Sequence, residues 1–197
     1  MANLEAIHSV GNSLITYLRN VYEAAPEEMG LPACEFRLLS STEMNNMEDP
    51  TADSILSLYL HRATINPHLR NSRPVDGRLL QPVPLSVDLH YLMTVWARDV
   101  QPEHVILAWA MRQLHFTPVL DRSFLSEEAN WDAGELVQVI PSELSNEDMM
   151  RVWDTLKPSY HLTVSYVARV VRIEADRAEE ARPVVATRFG LTEEGAR

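Results

Sequence analysis

The chain has 197 residues, 46% of them apolar, a formal net charge of −11 and a single cysteine. A chain of this length is the size of one globular domain with a sizeable core. No stretch approaches the roughly 18 continuous apolar residues of a membrane-spanning helix, and the acidic balance has the wrong sign for a protein that neutralises a nucleic-acid backbone. One cysteine excludes an internal disulfide, and the opening MANLEAIHSV has no basic-then-apolar leader, so the expectation is a soluble cytoplasmic protein.

Residues 3–22 place Leu4, Ile7, Gly11, Leu14, Ile15, Leu18 and Tyr22 at three- and four-residue intervals. That spacing is one face of a helix, with Asn3 as its N-cap. The plain expectation is a helix packed on a sheet; the sharper one is a helix shared with a neighbouring subunit. Pro26 and the Gly30-Leu31-Pro32 run break the pattern. CEFRLLS (34–40) is a short strand, and STEMNNMEDPTAD (41–53) is rich in turn formers and reads as loop. In SILSLYLHRATIN (54–66), Leu56, Leu58 and Leu60 share one parity while Ile55, Tyr59 and Ile65 take the other. Helix and strand templates both fit part of it, and its length and β-branched ends favour a strand.

The stretch 66–83 holds three prolines and a glycine and reads as a long loop or hairpin arm. With Arg62 it carries Arg70, Arg73 and Arg78 against one acid, Asp76, a basic island on an acidic chain. Such a run is ordinarily a solvated loop; the alternative is a contact for an acidic partner surface.

The strand-then-helix unit that follows organises the rest. In PLSVDLHYLMTVWA (84–97), Leu85, Val87, Leu89, Tyr91, Met93, Val95 and Ala97 alternate with Ser86, Asp88, His90, Thr94 and, just beyond, Arg98. This period of two predicts a half-buried strand with one polar face. Pro102 suits the first turn of a helix, and Leu107, Met111 and Leu114, with Ala108 beside them, give that helix a side to lay on a sheet. The turn-rich stretch 118–135 is anchored by Trp131, and LVQVI (136–140) is a short strand. Ser145-Asn146-Glu147-Asp148 starts a helix whose Met149, Val152, Trp153 and Leu156 form a buried stripe, and Pro158 stops it. In LTVSYVARVVRI (162–173), Leu162, Val164, Tyr166, Ala168 and Val170 share one face; Val167, Val171 and Ile173 share the other. Two apolar faces predict a central strand, or one covered by a partner. A charged turn (174–182) then leads to a returning strand (183–191) and a frayed end. Composition and spacing together give an α+β domain.

Catalytic motifs are absent from the sequence: it contains no GxGxxG, no GxxxxGK[ST], no G-x-S-x-G and no HExxH. Cys34 sits in an apolar strand with nothing local to activate a thiolate. Asp88 and His90, two apart on one strand face, are the one candidate metal pair, which His104, His115 or His161 would have to complete. A lone pair of this kind is ordinarily hydrogen-bonded structure. Glu127–Glu128 and Glu179–Glu180 lie in charged turns and serve solubility. The expectation is no enzyme, no catalytic residue, no metal and no cofactor.

Several segments share an order and spacing. They are Asn66-Pro67 continuing to Leu69-Arg70-Asn71, the run PLSVDLHYL from Pro84 to Leu92, Leu114-His115, and Pro118-Val119-Leu120. Leu144-Ser145-Asn146-Glu147-Asp148, Leu156-Lys157-Pro158, Ser159-Tyr160 and Ser165-Tyr166 follow. As an ordered set covering roughly residues 5–190, they resemble the cap, or tail-terminator, proteins of extracellular contractile injection systems, which are phage-tail-like particles. The resemblance implies a single terminator-like domain over residues 1–190, with 191–197 as tail, built on a mixed, mostly antiparallel sheet flanked by helices. It implies a structural protein that closes the inner tube and anchors the last sheath ring at the end distal to the baseplate, as a hexameric ring. The alternative is a transient assembly chaperone or tube-end adaptor of the same particle. Its partners would be further copies, the tube protein and the sheath protein, with no nucleic acid and no small-molecule substrate. Assembly would take place in the cytoplasm, and the particle would be released or held at a membrane. The resemblance also implies that longer members carry a C-terminal extension, and the expectation for a sequence ending soon after Phe189 is a cap without it. Arg70, Arg73 and Arg78 would dock the 66–83 arm on tube or sheath, while the first helix or the edge of the 162–173 strand packs on the next subunit.

Overall fold

The structure is a computed structural model, and it describes residues 2–48, 50, 53–66 and 84–174. Among these, six strands join into one sheet: β1 (Cys34–Leu39), β2 (Ser54–Ile65), β3 (Leu85–Trp96), β4 (Val119–Leu120), β5 (Val137–Pro141) and β6 (Thr163–Ile173). Their spatial order is β1-β2-β3-β6-β5-β4. β1 lies parallel to β2 and every other pairing is antiparallel, so the sheet is mixed and mostly antiparallel. The returning strand expected at 183–191, the 191–197 tail and Glu179–Glu180 lie outside the described residues.

Two register shifts explain apolar patterns that change parity along a strand. In β2, Leu60 pairs with Tyr91 and Arg62 with His90, so His61 is an extra residue. A bulge of this kind flips the side-chain alternation. Leu56, Leu58 and Leu60 precede it, and Ala63 and Ile65 follow it on the same face. In β6, Val87 pairs with Val171 and Leu89 with Ala168, so Arg169 and Val170 together oppose Asp88. Val164, Tyr166 and Ala168 before this bulge therefore share a face with Val171 and Ile173 after it, and all five belong to or pack on one core cluster. The two apolar faces expected for 162–173 are largely one face, and β6 is central because β3 and β5 flank it. Val170 takes φ +63°, a left-handed conformation that costs a β-branched residue dearly.

Two helices cover that face. α1 (Ala6–Glu23) buries Val10, Leu14 and Leu18, and α3 (Val100–Phe116), the third helix in chain order, buries Ile106, Leu107, Trp109, Ala110 and Leu114. Pro102 lies in the first turn of α3, but Met111 is exposed; the buried side is turned toward Ile106 and Ala110. Asn3 is not the cap of α1. Its side chain accepts the Glu5 N–H at 2.8 Å one turn earlier and donates to the Glu128 carbonyl, which leaves Leu4 87% exposed rather than in the stripe. At Gly11 an added Cβ would lie 2.9 Å from Leu38 Cδ1, so the end of the Leu38 side chain would have to shift to admit one.

The opposite face carries a second, smaller cluster of Leu39, Met44, Ile55, Trp96 and Trp153. Met44 comes from α2 (Ser41–Asn45), a helix inside the stretch expected to be loop. Ser40 and Glu43 close a capping box there, each side chain taking the other's backbone N–H, which nucleates a turn that composition alone reads as coil. α4 (Asn146–Asp154), capped by Ser145, supplies Trp153, with Met149 and Leu156 packed at its sides.

Candidate assembly surfaces

β3 does not have the solvent-facing polar side its alternation predicts. Ser86, Asp88 and Thr94 are buried, each in a hydrogen-bonded setting or a covered one. Thr94 Oγ1 lies 2.9 Å from Thr163 Oγ1, which donates to the His161 carbonyl, and Trp96 Nε1 donates to Ser57 Oγ at 2.8 Å. Asp88 accepts from Asn66 Nδ2 at 3.2 Å on both carboxylate oxygens and from the Val170 N–H at 2.9 Å. It therefore ties the end of β2 to the strained bulge of β6. Polar side chains can line a buried strand face when they satisfy one another in this way.

His90, the other half of the candidate metal pair, meets Thr64 Oγ1 through Nε2 at 3.1 Å, and its ring lies 6.1 Å from that of His61. Burial first, then the charge of neighbouring groups, pulls the His61 pKa down to about 4. His90 is also lowered, by burial and Arg62, against an opposing pull from Asp88. Both imidazoles are neutral at pH 7. His104 and His115 are exposed on α3, while His161 packs against Trp96 and Trp153 with centroids at 4.5 and 6.0 Å. These histidines are not brought to the Asp88–His90 pair, and among the described residues no three His, Cys, Asp or Glu side chains group as a metal site. Burial pushes the Cys34 thiol up to about 12, the wrong direction for a nucleophile. Arg70, Arg73 and Arg78 lie outside the described residues.

What the described residues do offer is surface for assembly. The sheet is open, with β1 at one edge and the two-residue β4 at the other. Beside β4, the end of α3 exposes Phe116 (71%), together with Val119 and Phe124. At the β1 side, Leu4, Ile7, Leu38, Leu39, Leu60 and Tyr91 line a mainly apolar groove of about 470 Å³, with His8, Ser40 and Glu43 also on its lining. The loop between β4 and β5 is latched to α1: Trp131 Nε1 donates to Ser9 Oγ, which pairs with Ser126 Oγ at 2.7 Å, and Ser126 N–H donates to Ser13 Oγ. The anchoring role expected of Trp131 is thus met through Ser9 and Ser13 of α1 and Ser126 of the loop, none of which the sequence had singled out. Glu135, nearly fully buried, is held by Arg172 at 3.0 Å. No sequence pattern marked that pair, because its members are strangers in the chain.

No described helix is long and apolar enough to cross a membrane. No curated protein matches the chain. Among solved structures it is similar to the sheath/tube terminator of an extracellular contractile injection system, PVC, in the extended state. The TM-score is 0.54 at 20% identity, over 96% of this chain and 64% of that one. It is also similar to the tube-terminating cap of the anti-feeding prophage, with TM-score 0.53 at 19% identity, over 93% of this chain and 59% of that one. The chain thus spans less than two thirds of the length of either structure, and the likeness is one of fold. The family model that describes the Pvc16 N-terminal domain matches residues 9–187, nearly the span over which the sequence motifs resemble cap proteins. The chain belongs to the Pvc16 N-terminal domain family.

Proposed function

We propose that this protein is the tube-terminating cap of a contractile injection system, a structural element that closes the inner tube and anchors the last sheath ring. The observation that carries the proposal is the family match over 9–187, made on a fold shared with two solved terminators. Physical logic points the same way. A cap has to make contacts that close after a fixed number of copies and also match the end of a tube. Open sheet edges and exposed apolar side chains serve that task, and no catalytic constellation does. In this reading the chain is one domain that forms a six-membered ring, assembles in the cytoplasm with tube and sheath subunits, and carries out no chemistry. The arm bearing Arg70, Arg73 and Arg78 supplies a basic contact to tube or sheath.

Electron microscopy of particles from cells with and without the gene tests the proposal. Loss of the gene should leave particles scarce, uncapped or irregular in length, with the distal density gone. Normal particles that keep that density would show that the chain is not the cap. Reversing the three arginines to glutamate should abolish particle binding with the circular dichroism spectrum unchanged; undiminished binding removes the arm from the proposal.

A further inference from the structure

We propose that residues 183–191 of this chain return as a further strand along the free half of β2. β1 pairs with β2 only as far as Leu39 opposite Tyr59, while β2 runs on to Ile65. Beyond that point β2 has β3 on one flank and, among the described residues, no strand on the other. The Asn66 N–H donates to the Ser86 carbonyl, so residues 62 and 64 turn their main-chain groups toward β3, and Ala63 and Ile65 turn theirs outward. An unpaired edge of this kind is a template for another strand.

The same edge has an apolar side without a cover. Leu60, Ala63 and Ile65 share one face, and Leu60 lines the groove of about 470 Å³ with Leu4, Ile7 and Leu39. Leu4 and Ile65 are exposed, as is Leu85 at the same end of the sheet. His8, Ser40 and Glu43, the polar residues on the groove lining, are exposed too. A strand laid beside β2 would carry every second side chain onto this face.

The segment 183–191 has the right sequence and the right starting point. In PVVATRFGL, Val185, Phe189 and Leu191 share one parity with Thr187, and Pro183 stands first, where a strand tolerates proline. Ile65 and Val171 stand level across Val87, so the chain leaves β6 at the end of the sheet where β2 is free. It leaves beside Ala2, whose carbonyl takes the Glu174 N–H at 2.8 Å. The open flank of β2 lies three strand spacings from β6, about 14 Å at about 4.8 Å each. The stretch 175–182 extends to about 26 Å, enough to cross. Because β2 and β6 both run antiparallel to β3, a chain returning from β6 meets β2 antiparallel.

Other berths are taken or stopped. β6 has β3 on one side and β5 and Ala2 on the other. On β1 the Phe36 carbonyl is occupied by Arg19 at 2.9 Å. On the outer side of β5 the Val139 N–H is given to the Pro118 carbonyl, and Pro141 has no N–H to offer. The 66–83 stretch, with prolines at 67, 74 and 82, makes a poor strand. The segment 183–191 thus closes from within the chain an edge that would otherwise recruit strands indiscriminately. This inference concerns the chain's own fold and does not rest on the cap reading.

Hydrogen exchange followed by NMR on the full chain tests it. The Ala63 and Ile65 amides should exchange on the order of a hundredfold more slowly than unpaired amides, at a rate independent of protein concentration. Val185→Asp with Phe189→Asp should return both amides to the unpaired rate, while Leu92 and Met93 in the middle of β3 stay protected. If the aspartates also strip protection from β3, Phe189→Ala decides, and it should speed exchange at Ala63 and Ile65 alone. Free exchange of those two amides in the unaltered chain would overturn the proposal. So would protection that survives the substitutions, which would assign the edge to the 66–83 stretch, or protection that grows with concentration, which would assign it to a second copy.

Discussion

On one face of β3, Val87, Leu89, Tyr91, Met93 and Val95 join the apolar cluster that includes α1 and α3. On the other, Ser86, Asp88 and Thr94 are buried too; Asp88 and Thr94 meet polar partners, while the buried Ser165 hydroxyl opposite Leu92 meets none among the described residues. The first face gains from area removed from water, a non-directional term that tolerates reshaping. The second gains area only at its Trp96 end, where the smaller cluster sits, and along Asp88 and Thr94 it depends on donors finding acceptors. Burial alone therefore does not tell the faces apart; what fails when they are damaged does.

Truncation on the apolar face should produce the largest loss. Leu58→Ala removes a buried side chain from the cluster, and urea unfolding should show a loss of about 3 kcal/mol. Asp88→Asn changes almost no volume, yet it sets an amide among donors from Asn66 and Val170, and the expected loss is about 2 kcal/mol. If Asp88→Asn unfolds within about 0.5 kcal/mol of wild type, the carboxylate does not brace that face, and the contrast drawn between the two faces fails.

The same contrast governs what the sequence made legible. Periods of two and near four located α1, α3, α4 and the strands β1, β2, β3, β5 and β6, because one apolar face per element is a signal carried by the chain itself. Alternation at β3 misled about exposure, since Asp88 and Thr94 find partners at Val170 and Thr163, far away in the chain. The parity changes in β2 and β6 were visible as conflicts between Leu60 and Ile65 or between Ala168 and Val171. Only the pairing with β3 shows that single extra residues resolve them. The capping box at Ser40 and Glu43 was readable, three residues apart, and marks α2 inside a turn-rich stretch. Phe116 and the groove beside β1 were not readable as surfaces at all: which end of a sheet a residue reaches depends on strand order, and strand order is not local.

Acid sharpens the comparison on the polar face. His61 titrates at about 4 when folded against 6.5 for a free imidazole, so between those values the unfolded chain binds more protons. Stability is then complete above about pH 6.5 and falls as the pH drops toward 4. His90 is displaced in the same direction by burial and Arg62, with Asp88 opposing. The urea midpoint should drop more between pH 7.5 and 5 for wild type than for His61→Phe. Equal drops would mean that His61 is hydrated in the folded protein.

The smallest effect has the opposite sign and tests why the polar face exists. Val170 holds a left-handed backbone at φ +63°, which costs a β-branched side chain on the order of 1–2 kcal/mol. Its N–H is directed at Asp88 in that conformation. Glycine takes the same φ freely but loosens the unfolded chain, so Val170→Gly should stabilise the protein by no more than about 1 kcal/mol. The informative measurement is the double variant. If the Asp88 carboxylate is what enforces the bulge, Val170→Gly should recover part of the loss caused by Asp88→Asn, because glycine holds that backbone with less help. If the two effects simply add, the bulge is set by the register of β3 with β6 and Asp88 only fills the space that register leaves.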